Sequence, residues 1–169
     1  MRFLIIFIFL ISNSIADETI EINNLVIYDK LKKYDGITFL DEKNNELNLD
    51  DYKGNLVLLN FWATWCAPCK EEMPSLDQLQ SDRKLNNLKI FPINIGQENL
   101  SKSQKFFEVL SIKNLKVYFI SSINLPKKLQ LRGIPTTILI NKDGLEFARI
   151  IGSIDFDDEK FIRWLSKYN

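Results

Sequence analysis

Leu56-Val57-Leu58-Leu59-Asn60-Phe61-Trp62-Ala63-Thr64-Trp65-Cys66-Ala67-Pro68-Cys69-Lys70-Glu71-Glu72-Met73-Pro74 is the stretch on which the fold turns. From Leu56 to Trp62 it is apolar except at Asn60. Such continuity marks a strand buried on both faces rather than a half-exposed one. Beyond a short link, Met73, Leu76 and Leu79 recur at helical spacing, which predicts a helix from about Cys66 to Gln80. Pro74 is expected to kink it. A buried strand running directly into a helix is the repeating unit of α/β architecture.

Working outward, the pattern persists. On the N-terminal side, Ile37–Leu40 and Leu47–Leu49 alternate with period two about a connection rich in turn formers, which predicts a hairpin. On the C-terminal side, strands are expected at 89–94, 115–120 and 136–140. A capping box at Ser101–Gln104 would open a helix through Leu110, and Pro126 suits the first turn of a short helix through Leu131. Asn141-Lys142-Asp143-Gly144 is a hairpin turn into a strand over 145–151. A last helix carries Phe161, Trp164, Leu165 and Tyr168 on one face. The order hairpin, β-α-β-α-β-α-β-β-α predicts a central mixed sheet flanked by helices.

The two cysteines of the chain, with two residues between them, stand where the helix is expected to begin. Unsatisfied N–H groups and the helix dipole favour negative charge there, and so favour the thiolate, which is the nucleophile in disulfide exchange. A bare Cys-x-x-Cys could equally be half a zinc site. Such a site needs about four ligands, and the chain has no further cysteine and no histidine. The reading is therefore redox, with Cys66 attacking a disulfide and Cys69 resolving the mixed disulfide. No metal and no other cofactor is expected.

Composition narrows the partners. Of 169 residues, 46% are hydrophobic and 12% aromatic, enough for a sizeable core. Lys plus Arg and Asp plus Glu each total 22, so bulk charge supplies no reason to expect nucleic acid or an anionic membrane. Met1-Arg2, an apolar run from Phe3 to Ile11, and small residues at Ser14 and Ala16 read as a secretory signal cleaved after Ala16. The alternative is an uncleaved anchor, for which the run is short. Residues 17–35 form an extension of undecided structure, and 36–169 the folded domain. An exported, periplasmic protein is expected.

The motif through Pro74, together with Gly133-Ile134-Pro135-Thr136-Thr137 and Asn141-Lys142-Asp143-Gly144, resembles the TlpA/ResA-like thioredoxin family over roughly residues 36–169. The resemblance implies a thioredoxin fold with an added N-terminal β-hairpin and a central α/β insertion. It implies a reductant of protein disulfides, with apocytochrome c cysteines or copper-site proteins among its targets and a membrane protein as electron donor. A monomer is expected. Pro135 matches the cis-proline that faces the disulfide, and the backbone of Ile134 would pair with substrate. Trp65 precedes the cysteines and Pro68 lies between them, both expected to bind substrate, with core packing as the alternative for Trp65. Asn60 stands where thioredoxins carry an aspartate, and an amide cannot accept the proton of Cys69. Glu72, three residues beyond Cys69, is the candidate base, the alternative being a solvated carboxylate. Glu71 and Lys70 read as surface.

Other functions remain open at this point. The pair could bind Cu(I), a soft ion that favours sulfur, as a metallochaperone. A peroxidase of the peroxiredoxin type would want threonine where Ala63 stands, and an isomerase would want a dimerisation domain.

Overall fold

The computed structural model describes residues 22–169. The expected signal (1–16) and the start of the extension lie outside the described residues. In chain order the elements are β1 (Leu25–Lys33), β2 (Thr38–Leu40), β3 (Glu46–Asn48), β4 (Leu56–Trp62), α1 (Ala67–Gln80), β5 (Leu88–Asn94), α2 (Leu100–Val109), β6 (Tyr118–Ile120), α3 (Leu125–Lys128), β7 (Thr136–Ile140), β8 (Leu145–Ile151) and α4 (Glu159–Ser166). The strands make one eight-stranded sheet in the order β1-β8-β7-β4-β5-β6-β2-β3. β4, β5 and β6 are parallel; β7 is antiparallel to β4 and leads outward through β8 to β1. The expected hairpin, β2–β3, docks through β2 on β6. The segment α2–β6 is the central insertion, and it widens the sheet beyond β5.

β4 explains why the fold closes here. Every one of its seven residues is buried. Leu56, Leu58 and Trp62 enter one core cluster, with Met73, Leu76 and Leu79 of α1; Val57, Leu59 and Phe61 enter the cluster on the opposite face. Period-two alternation therefore turns Asn60, the one polar residue of the strand, towards α1. Burial of each such leucine contributes roughly 1.5–3 kcal/mol relative to exposure, and β4 makes this contribution on both faces.

Two expectations are corrected, and one open segment is assigned. The segment left undecided contains β1, which pairs antiparallel with β8 as the edge of the sheet; its charged, half-exposed residues hide the alternation that a strand signal needs. The cap of α2 is Asn99, whose Oδ1 accepts the Lys102 N–H at 2.9 Å, and Ser101 lies inside the first turn. β6 begins at Tyr118 rather than Leu115. The buried Asp77 carboxylate of α1 takes the N–H groups of Lys113, Asn114 and Leu115 at 2.7–3.2 Å, which removes those donors from any ladder. α1 itself runs unbroken in hydrogen-bonded helix from Ala67 to Gln80, with Pro74 inside it.

Candidate active site

The chain leaves β4 at Trp62, crosses Ala63-Thr64-Trp65 and enters α1 with Cys66 as the N-cap. Cys66 and Cys69 are joined in a disulfide, with their Cα atoms 5.3 Å apart. The Cys69 N–H donates to Cys66 Sγ at 3.2 Å, so the sulfur sits against the orphan donors of the first helical turn. Cys66 is 5% exposed and Cys69 is fully buried. Of the two cysteines, only the first has any contact with solvent. Trp65 is 68% exposed, which removes the core-packing alternative for it. Ala67 and Pro68 are also exposed.

Pro135 follows a cis peptide from Ile134. It is buried, with Ile134 half-buried beside it. The pairing of Thr136 with Phe61 sets Pro135 level with Trp62, at the end of the sheet where α1 begins. The turn is pinned twice: the Gly152 N–H donates to the Pro135 carbonyl at 2.9 Å, and Thr136 Oγ1 donates to the Gly133 carbonyl at 2.7 Å. Gly152 makes its bond from φ +102°, a region that favours glycine.

Behind the disulfide lies a polar pair inside the core. Glu72 is 2% exposed, so it is not a surface carboxylate, whereas Glu71 and Lys70 are exposed. Asn60 Nδ2 donates to Glu72 Oε1 at 2.8 Å and to Thr137 Oγ1 at 2.9 Å. Asn60 Oδ1 and Glu72 Oε2 are buried without a partner. Burial pushes the Glu72 carboxyl up to about 8, against the opposing pull of the Asn60 amide and the Ile154 N–H. A recess of about 600 Å³ between α1 and residues 153–157 has Glu72, Ser75 and Ile154 in its wall. The arrangement supplies a proton-holding group one helical turn beyond Cys69, on the same face of α1.

One carboxylate of the site escaped the sequence reading. Glu98, with its side chain 5% exposed, accepts the Thr64 N–H at 2.8 Å, the Thr64 hydroxyl, and Asn94 Nδ2 at 3.0 Å. Lys102 Nζ stands 2.6 Å away. Burial alone would push this carboxyl up, but the bonds from Lys102, Thr64 and Asn94 outweigh it and hold the group down at about 2. It clamps the link two residues before Cys66. Gly96 lets the two loops meet, since a Cβ there would stand 2.9 Å from both Ala63 Cβ and Glu98 Oε2. Nothing in Gly96-Gln97-Glu98-Asn99 as a string distinguishes Glu98 from a solvated loop carboxylate.

Among the described residues no group of three or more His, Cys, Asp or Glu could hold a metal ion. No described helix is long and apolar enough to cross a membrane.

The family model described as Redoxin matches residues 29–159. The thiol-disulfide oxidoreductase ResA of Geobacillus kaustophilus (strain HTA426) is 34% identical over 118 residues, which cover 70% of this chain and 67% of that protein. Among solved structures, a DsbE thiol:disulfide interchange protein from Chlorobium tepidum superposes with TM-score 0.69 at 25% identity, covering 82% of this chain and 98% of the other. A thiol:disulfide interchange protein from Bacteroides sp. gives TM-score 0.69 at 20% identity over 82% and 90% of the two chains, a likeness of fold.

Proposed function

Because the chain belongs to the Redoxin family and is a ResA-like thiol–disulfide oxidoreductase with a close cysteine pair, we propose that it is exported and works as a reductant of protein disulfides. The observation that carries this reading is the buried Asn60–Glu72 pair behind Cys69. In the reduced protein, the Cys66 thiolate attacks one sulfur of a substrate disulfide. A Cys66–substrate bond forms, the substrate bond breaks, and the departing thiolate takes a proton. The ionised fraction of Glu72 takes the proton of Cys69, which then attacks Cys66 Sγ as a thiolate. The second substrate thiol leaves, the Cys66–Cys69 disulfide closes, and two electrons have moved to the substrate. A base works best with a pKa near the working pH, and Glu72 at about 8 meets that condition.

Pro68 supports the reducing direction. Strong oxidants of this fold carry a histidine beside the second cysteine that stabilises the reduced thiolate, and proline supplies no such charge. Kinship with the TlpA/ResA-like family suggests apocytochrome c cysteines or copper-site proteins as substrates and a membrane protein as electron donor. The exposed Trp65 and Pro68, with the Ile134-Pro135 turn, would receive the substrate chain. The apolar run from Phe3 to Ile11 supports export. The Cu(I) metallochaperone alternative gains no specific observation in its favour.

The reduction potential tests direction. A value near thioredoxin's, about −270 mV, is expected; one near DsbA's, about −120 mV, would sink the reductant reading. Trapping with Cys69→Ser in cells, followed by identification of the disulfide-linked protein, tests the substrate class. Capture of neither a cytochrome precursor nor a copper-site protein would remove that assignment.

A further inference from the structure

β7 starts directly after Pro135, and the sheet continues from it through β8 to β1. Register sets Thr136 opposite Ile151, and Val26 opposite Arg149. The end of the sheet that carries the Ile134-Pro135 turn therefore extends across two more strands to β1, the terminal strand among the described residues. Against that edge lies a recess of about 340 Å³, with Thr136 in its wall. Val26 and Ile151, each 42% exposed, give it an apolar side. Its charged lining is Lys32, Arg132 and Arg149, and among the described residues no carboxylate lines it.

The three cations are differently committed. Arg149 bonds through Nε to Glu146 at 2.7 Å, but Glu146 is wholly buried behind it and is bonded in turn by the Tyr34 hydroxyl. The recess is thus lined by the guanidinium and not by its counter-ion. Lys32 Nζ rests 3.5 Å over the Tyr28 ring and is paired with no carboxylate among the described residues. Arg132 is exposed, makes no hydrogen bond or ion pair among the described residues, and stands three residues before Pro135. Glu146 offsets the charge of Arg149, so Lys32 and Arg132 supply the local positive excess, against a whole chain that balances 22 cations with 22 anions.

From β7 to β1 is two strand spacings, about 10 Å. An extended peptide advances about 3.3 Å per residue, so a chain passing the Pro135 turn crosses the recess from Thr136 to β1 over three to four residues. We propose that the recess docks an acidic segment of the protein substrate, three to four residues from the cysteine that reacts with Cys66. The docking site rests on the reductant reading and adds to it a choice among substrates. Opposite charge at the rim of a contact chiefly speeds encounter and selects partners.

The test uses the reduced protein and matched peptides, each with one cysteine capped by thionitrobenzoate, whose release is read by absorbance. Residues three and four from the cysteine are both Asp, both Ser or both Lys, on either side. At low ionic strength the Asp peptide should react about tenfold faster than the Lys peptide, a gap that closes at 1 M salt, where the screening length is about 3 Å. Lys32→Glu/Arg132→Glu should reverse the order. Arg132→Glu alone, at an exposed position, should shift it the same way and guards against a folding defect in the double variant. Equal wild-type rates for the three peptides, or an order unchanged in both variants, would overturn the docking site. Reduction of a free aromatic disulfide by the wild-type protein runs alongside. Failure there sinks the reductant reading, whereas success there without discrimination among peptides sinks the docking site alone.

Discussion

Replacing Glu72 by Gln should remove most of the pH dependence of stability between pH 5 and pH 8.5. The carboxyl is lifted from 4.5 to about 8, chiefly by burial. Below about pH 4.5 the group is protonated in both folded and unfolded chains and contributes nothing. Between 4.5 and 8 the folded protein keeps a proton that the unfolded chain has released. The unfolded state then binds fewer protons, so stability falls as pH rises, and the loss levels off above about 8. At about 1.4 kcal/mol per tenfold in proton affinity, the full change has a ceiling of about 5 kcal/mol. The chain has no histidine to blur that window. Gln is nearly isosteric, and its carbonyl can still accept from Asn60 Nδ2. Urea denaturation of the oxidised protein at half-unit steps should show wild-type stability declining by several kcal/mol and the variant nearly flat, with the two converging towards pH 5. Parallel curves would refute the inference that Glu72 holds its proton in the folded protein. The same variant should slow release of a mixed disulfide most at and above neutral pH, as stopped-flow Trp fluorescence would register; a rate unchanged at every pH would take Glu72 out of the mechanism.

Other predictions follow from the clamp and the exposed ring. Glu98→Ala leaves the Thr64 N–H and hydroxyl without their acceptor and should cost about 2–3 kcal/mol, measured by thermal melts at neutral pH; a change below about 0.5 kcal/mol would mean that the loop finds other partners. Because the Glu98 carboxyl is depressed to about 2, its contribution should be complete above pH 4.5 and fade as pH falls towards 2, so the difference between wild type and variant should shrink in acid. Gly96→Ala drives a methyl against Ala63 and Glu98 and should destabilise by about 1–3 kcal/mol and slow the reaction of Cys66 with a disulfide; an unperturbed rate would show that the loop yields freely. Trp65→Ala should leave stability within about 0.5 kcal/mol, as expected for an exposed side chain, while raising the KM for protein substrates. An unchanged KM would remove the ring from the docking surface.

The legibility of the chain tracks how local each determinant is. β4, α1, β7 and β8 fall within a residue of their expected bounds because their apolar pattern is dense and their ends carry strong signals: the Cys66 cap, and Asn141-Lys142-Asp143-Gly144 between β7 and β8. β1 was unreadable because it is an edge strand in which exposed charges interrupt the apolar positions. β6 starts later than the apolar pattern suggests because the Leu115 N–H is captured by Asp77, 38 residues away. The cap of α2 moved by two residues because Asn99 and Ser101 both fit the cap preference, and only geometry chooses between them.

The sequence by itself determined the fold class, the redox pair and its place at a helix N-terminus, because strand periodicity, helix periodicity and a two-residue cysteine spacer are all written within 25 consecutive residues. It also named Glu72 and Pro135 as residues to weigh. Only the tertiary structure decided that Glu72 is buried against Asn60, that Trp65 is exposed, and that Glu98 reaches across from the loop after β5 to hold Thr64. Each of these depends on which face of the sheet meets which helix and on how two distant loops abut. Burial and long-range hydrogen bonds are properties of the packed chain, and no local pattern encodes them.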